Sequence, residues 1–466
     1  METHHTSPER YATTFHLWAL GVGAVIGGNF FGWQTVLSEG FFASLFALVP
    51  VTILYILLSF SIAELATSIP EAGGPYIFAL EAFGRFAAFL TGLAETIKVV
   101  VTGAVIVVGI GSYLSEILGT DEKYQPLWWL TFYTCFVGLN VVGVAVSFRF
   151  QLLATLLAIL LLVIFYAGAT PHLDIQRYAY DPADPWPHSF GAVIKALPFA
   201  LWFYLGIEEL PLATEEALDP FRDMPRALGL SFMTLVSLAL LTTVLSSSIP
   251  PGAEALAVDQ YPLLTGYRVA FGDTKATNFF CVLLVMGLLI MSIAREGLFP
   301  AILATQHRST HSPYVALCAG SVLGFAVAFT LYSAVDSATL GSTLVCLSLL
   351  GANLSYAMQF ASFIKLRGKR KFEAPAPYTS PFGVGGALVG IVLATGCFLS
   401  TLYLAYSDIG YVYGAGIFVL ALVVGMVYFL VGSVRRSERI SLDDEPVRYT
   451  ERRLLESSSA HLSSQS

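Results

Sequence analysis

Charge is what this chain has least of. Only 12% of its 466 residues are Asp, Glu, Lys or Arg, against 56% that are apolar. A soluble domain carries about 25% charged residues, so a water-soluble globule is excluded. The net charge of −8 belongs mostly to loops and tails rather than to one surface, and it implies no nucleic-acid partner. Cysteine is scarce too. Cys135, Cys281, Cys318, Cys346 and Cys397 all lie inside apolar runs, without metal-ligand spacing, and read as buried thiols. His4 and His5 sit in a polar tail and the remaining His are scattered, so no metal pair is expected. No G-x-x-x-x-G-K loop and no G-x-S-x-G element occurs. The chain therefore reads as neither an ATPase nor an enzyme, and no cofactor is implied. The polar stretch Met1 to Thr14 lacks a basic patch, a short apolar core and a cleavage site, so the first apolar run is expected to be a span rather than a leader.

What is present is a series of long apolar runs. A membrane crossing needs about 20 apolar residues, and twelve runs qualify: 15–37, 41–66, 84–117, 127–148, 151–170, 190–212, 227–249, 276–294, 313–334, 341–364, 383–406 and 411–432. The third exceeds one perpendicular crossing and is expected to tilt or protrude. The organisation expected is a tail over 1–14, a membrane domain over 15–432 and a disordered tail over 433–466. Basic residues orient it. With the N-terminus in the cytoplasm, Arg10, Arg85, Arg149, Arg222, Arg226, Arg295, Arg308, the Lys365–Lys371 cluster and six tail Arg fall inside. Only Lys123, Arg177, Arg268 and Lys275 fall outside, and Lys98 and Lys195 lie within or at the edge of spans. Both tails are then cytoplasmic, and the tail stretch RRSERIS at 435–441 is either a regulatory phosphosite or a plain solvated segment.

Two runs are interrupted. Residues 21–33 of the first read GVGAVIGGNFFGW, and residues 196–211 of the sixth read ALPFALWFYLGIEELP. Gly lowers the cost of leaving the helix and Pro removes a donor. In hydrocarbon, loose backbone survives only where it lines a cavity or binds something. Matching breaks in two halves point to a midplane substrate site. Spans 1–5 and 6–10 each open on a break, and five is odd, so the second set enters from the opposite side as an inverted repeat.

At the first break, free N–H groups of a second half-helix beginning near Asn29 would suit a carboxylate, with Asn29 as cap or substrate contact. Close helix packing by the small residues is the competing reading. At the second, Glu208 is a buried carboxylate with four open roles: proton site, inner-gate group, counter-ion for a substrate amine, or partner of unwound backbone. Glu209 is a second such group or snorkels. Trp202 caps a ligand or simply packs. Glu95 and Lys98 stand at i and i+3 on one helix, where they neutralise each other unless Glu95 faces the substrate path. Lys195 is expected to snorkel near the outer face.

Five stretches resemble the amino acid–polyamine–organocation superfamily. GAVIGGNFF at 23–31 resembles its first-span break. AELATSIPEAGGPY at 63–76 resembles its signature after span 2. WFYLGIE at 202–208 with EEALDPFRDMPR at 215–226, AREGLFP at 294–300, and FIKLR with PYTSP at 363–381 follow in the family's order. GNFFGW at 28–33 and ALPFALWFYLGIE at 196–208 look closest to the ethanolamine permease-like branch. The resemblance implies an all-α LeuT-type fold of about twelve spans in a 5+5 inverted repeat, with discontinuous spans 1 and 6. It implies a secondary transporter of small amino acids or related amines, proton-coupled, in the cell membrane. A small-amine permease or exchanger and a non-transporting ligand sensor are the alternatives. The substrate-facing set it implies is Val25, Ile26, Gly27, Gly28, Asn29, Trp202, Phe203, Leu205 and Gly206. Gating or proton coupling falls to Glu208, Glu209 and Glu95. Two departures stand out: Asn29 replaces the family's Gly, or the acid usual in the ethanolamine branch, and span 5 has no Lys.

Overall fold

The computed structural model describes residues 11–69, 73–142, 144–180, 190–214, 216–274, 277, 280, 314–370 and 378–439. Among these the elements are helical, and seven helices are long and apolar enough to cross a membrane. They correspond to spans 2 (Phe41–Ser68), 3 (Arg85–Leu118), 5 (Val144–Ala169), 7 (Pro220–Ser247), 10 (Ser337–Arg370), 11 (Gly383–Tyr403) and 12 (Ile409–Arg439). Span 4 is Gln125–Val142 and span 9 is Tyr314–Ala334. The eighth expected span, 276–294, lies outside the described residues except for 277 and 280. Spans 1 and 6 are discontinuous, as in LeuT-type folds.

Local chemistry sets the boundaries. Span 3 runs unbroken for 34 residues because it contains no Pro; Gly84 (φ +86) precedes it and Gly119 closes it in the left-handed region (φ +62). At 1.5 Å per residue it is about 51 Å long, so it outruns the hydrocarbon layer as expected. Span 5 begins at Val144 rather than near 151. Ser147 and Arg149 are polar, but without Gly or Pro nothing stops the helix there. In span 6, Pro198 cannot donate to the carbonyl of Ile194, and the Ser400 hydroxyl of span 11 donates to that oxygen instead.

The exterior is strongly apolar, unlike that of a soluble protein, and the mostly apolar interior also holds polar side chains. Leu153, Leu156, Leu160 and Val163 form one exposed stripe on span 5. Thr102, Thr155, Thr242, Ser348 and Ser355 are buried and face other helices. Cys135 and Cys318 lie exposed on helix surfaces, unlike the buried Cys346 and Cys397. Span 1 packs on span 7, and span 6 packs on span 2. Exchanging the halves turns one pairing into the other. Span 3 packs along span 10, where Gly351 leaves room for the backbone of Ala94 and Lys98. From Leu420 onward the last helix forms a compact unit of its own, with Val423, Val424, Val427 and Tyr428 exposed.

Candidate functional site

The first helix runs from Thr14 to Gly23 and stops. A 3-10 turn over Ile26–Asn29 follows, then Gly32 at φ +85, then a second 3-10 stretch over Trp33–Glu39. The second half therefore begins at Trp33 with Gly32 as its cap, not near Asn29. The N–H groups of Gly28 and Phe30 are not free either; they donate to Val25 and Gly27 carbonyls at 3.0 Å. Consecutive glycines permit the tighter 3-10 winding, which closes donors that an abrupt break would leave open. Asn29 is fully buried, and its Oδ1 accepts the Thr242 hydroxyl at 3.0 Å. Thr242 in turn lies 2.5 Å from the Tyr166 hydroxyl, whose other acceptor, the Leu238 carbonyl, is at 3.3 Å. With Thr242 donating to Oδ1, the Asn29 Nδ2 is left without a hydrogen bond.

The sixth-span helix Phe190–Leu201 ends in a turn through residues 202–206, with Gly206 at φ +114, and resumes as a 3-10 stretch over Ile207–Ala213. The two breaks touch. The Trp202 indole N–H donates to the Phe31 carbonyl at 3.0 Å. A Cβ on Gly28 would lie 2.6 Å from the Trp202 carbonyl oxygen, and one on Gly32 2.7 Å from its indole nitrogen. Phe203 stacks obliquely on Trp33 at 5.8 Å. The Gly206 N–H donates to Glu208 Oε2 at 3.0 Å, and the Gly206 carbonyl accepts the Glu209 N–H at 3.1 Å.

Lys98 of span 3 lies at the centre of the buried charge and is 0% exposed. Its ammonium reaches Glu95 at 2.7 Å, Glu208 at 2.8 Å and Glu209 at 3.4 Å. The Tyr356 hydroxyl of span 10 donates to Glu208 Oε1 at 2.7 Å and exchanges a second hydrogen bond with Tyr55 of span 2 at 2.9 Å. Ser355 donates to Glu95. Three carboxylates thus share one ammonium, and Glu208 joins spans 2, 3 and 10 to the backbone of the span-6 break.

Sequence reasoning paired Glu95 with Lys98, and that pair exists, but it is half of the arrangement. Glu209 is 1% exposed, so it does not snorkel. Lys195, by contrast, is a third exposed and lies 3.9 Å from Glu39. Val25, Ile26, Gly28, Asn29, Trp202, Phe203 and Leu205 are all buried around the two breaks; Gly27 is partly exposed. Tyr55, Tyr166, Thr242, Ser355 and Tyr356 were not foreseen. The usable signal was the phenol: a mid-span Tyr hydroxyl has to find a partner, and the few buried carboxylates are the natural candidates.

On the basic-residue side of spans 2 and 10, Glu64 accepts Arg367 at 3.2 Å and the Ser380 N–H at 2.7 Å. Burial and this carboxylate push the Tyr378 phenol up from its ordinary value. Among the described residues no group of His, Cys, Asp or Glu is arranged to hold a metal ion.

A family model described as amino acid permease matches residues 13–402. An uncharacterized transporter of Rhizobium meliloti is 27% identical over 421 residues, covering 84% of this chain and 86% of that protein. The cationic amino acid transporter 4 of Homo sapiens is 24% identical, over 81% of this chain and 62% of its own length. The branched-chain amino acid permease BcaP of Bacillus subtilis is 23% identical, over 66% of this chain and 72% of its own.

Proposed function

This chain belongs to the amino acid permease family, and from that premise we propose that it carries a small amino acid across the membrane by proton-coupled alternating access. As a permease it is a transporter, not an enzyme, and its cargo is a small amino acid or amine. The observation that carries the finer reading is the contact between the two breaks beside a buried cluster of three carboxylates and one ammonium.

In this reading Val25, Ile26, Gly27, Gly28 and Asn29 receive the substrate carboxylate, with the unpaired Asn29 Nδ2 as donor. Phe203, Leu205 and Gly206 line the amine end, and Trp202 covers the site. Excess negative charge in a dry interior is costly, so the cluster of Glu95, Glu208 and Glu209 has room for a proton. Protonating Glu208 or Glu209 would weaken the hold of Lys98 on span 6. Substrate and proton couple through their differential affinity for the outward-open and inward-open states. Both termini are placed in the cytoplasm and the protein in the cell membrane, on the distribution of Lys and Arg. The 1–14 tail, the 15–432 domain with its inverted repeat and the 433–466 tail complete the organisation; the reciprocal packing of span 1 on 7 and span 6 on 2 supports the repeat.

GNFFGW favours a second reading, a simple amine such as ethanolamine. Asn29 weighs against it, because a neutral amide offering N–H suits an anionic oxygen better than an ammonium. Purified protein in liposomes decides. Labelled neutral amino acids should accumulate several-fold more with an acid-outside gradient than without, and Glu208→Gln should abolish the difference. Uptake indifferent to the gradient would remove the proton from the mechanism, and uptake of ethanolamine alone would establish the second reading.

A further inference from the structure

We infer that Lys98 determines substrate class: its ammonium occupies the place at the inner edge of the site where a side-chain cation would otherwise be bound, and so restricts this permease to amino acids without a second positive charge. The inference rests on the amino-acid reading above and names its substrate class.

The geometry leaves little choice. Glu208 is the carboxylate nearest the span-6 break, since it accepts the N–H of Gly206 itself at 3.0 Å. In a permease without Lys98 it would be the natural counter-ion for a distal ammonium or guanidinium entering from the breaks. Here its acceptor capacity is largely taken. Oε1 receives both Lys98 Nζ at 2.8 Å and the Tyr356 hydroxyl at 2.7 Å, while Oε2 receives the backbone donor. A carboxylate offers about four lone-pair directions, and three are engaged. A cationic side chain would meet an occupied anion with a like charge fixed beside it.

That charge is also held in place. Gly351 of span 10 packs against the backbone of Ala94 and Lys98, which fixes where the stem starts, and the whole side chain is buried. Glu95, three residues earlier on the same helix, binds the ammonium at 2.7 Å. This second partner moves with Lys98. The lysine therefore remains paired inside the protein even if span 6 shifts and takes Glu208 and Glu209 with it. A lysine whose partners all lay on span 6 would be stranded by such a shift, and a cationic substrate would be its easy replacement. A lysine with its own counter-ion stays as a permanent resident.

The test is a competition series in proteoliposomes. Unlabelled lysine and arginine should inhibit uptake of a labelled neutral amino acid at least about a hundredfold less well than unlabelled neutral amino acids, as expected for like charges brought together out of water. Lys98→Ala should lose most neutral uptake, regain it in part with millimolar methylammonium, and accept lysine as a competitor comparable to neutral amino acids. Lys98→Arg should keep the exclusion. If the wild-type protein carries lysine as readily as neutral amino acids, the inference is wrong. It is also wrong if Lys98→Ala, assayed on the fraction that folds, keeps the wild-type ratio of the two, because that is what a purely structural lysine would give. The wild-type series needs no variant and decides alone should Lys98→Ala not fold. Transport of no amino acid of either kind would instead overturn the permease reading itself.

Discussion

At the scale of single residues, Asn29 and Trp202 carry the substrate reading. The Thr242 hydroxyl donates to the Asn29 Oδ1 and leaves its Nδ2 without a hydrogen bond. Asn29→Asp replaces that donor with an acceptor of like sign to a carboxylate, so amino-acid binding should fall by an order of magnitude or more while a simple amine gains. Thr242→Val should have a smaller effect in the same direction on amino acids, because it frees the amide to flip and leaves Oδ1 unpaired at a cost of about 1–3 kcal/mol. Ligand-dependent thermal shifts measure both, and equal amino-acid affinity in Asn29→Asp would take Asn29 out of the site. Trp202→Ala should weaken binding by about 1–2 kcal/mol, through lost stacking and lost cover, without unfolding the protein; unchanged affinity would assign the indole to packing. None of these hydroxyl partners was legible in the sequence. Asn29 and Thr242 are 213 residues apart, and Lys98 and Glu208 are 110 apart. No periodicity connects such positions, and a buried Thr on an apolar helix looks like any other small packing residue.

At the scale of elements, more could be read. A run of apolar residues long enough to cross hydrocarbon has few alternatives to a helix, so spans 2, 3, 10 and 11 are legible to within a few residues. The breaks in spans 1 and 6 are legible as well, since Gly and Pro cluster nowhere else mid-span in matching positions. The conformation after each break was not. Both segments resume as 3-10 rather than α-helix, over Trp33–Glu39 and Ile207–Ala213, where residues distant in sequence pack against each other. Gly206 is the position where this is most exposed to test. At φ +114 and ψ −11 an L side chain is strained, and Gly206→Ala should cost about 1–3 kcal/mol. Thermal unfolding should show the loss together with reduced transport. Gly341→Ala is the control: it lies inside the span-10 helix with open space around its Cβ direction. It should be neutral or stabilise by up to about 1 kcal/mol. Similar effects from both substitutions would mean that the turn at Gly206 is not required.

At the scale of the whole transport domain, the question is what makes two interrupted spans act together. One answer lies just before span 1. Tyr11 and Ala12 donate their N–H groups to the Glu216 carbonyl at 3.1 and 2.9 Å, and Leu218 donates to the Ala12 carbonyl at 2.9 Å. This short backbone bridge joins the start of span 1 to the chain leaving span 6, at the end of each that lies on the basic-residue side. The Glu64–Arg367–Ser380 contact joins spans 2 and 10 on the same side through other residues. The two ties thus join different pairs of spans, one pair containing both breaks and the other containing neither. Ala12→Pro removes one donor of the bridge and Leu218→Pro removes another. Each should lower stability by about 1 kcal/mol, and together they should cost less than the sum, because either one already opens the same contact. Hydrogen exchange should then speed up in residues 14–23 and 207–214 in parallel. Faster exchange in one segment with the other unchanged would show that the bridge does not couple the two spans.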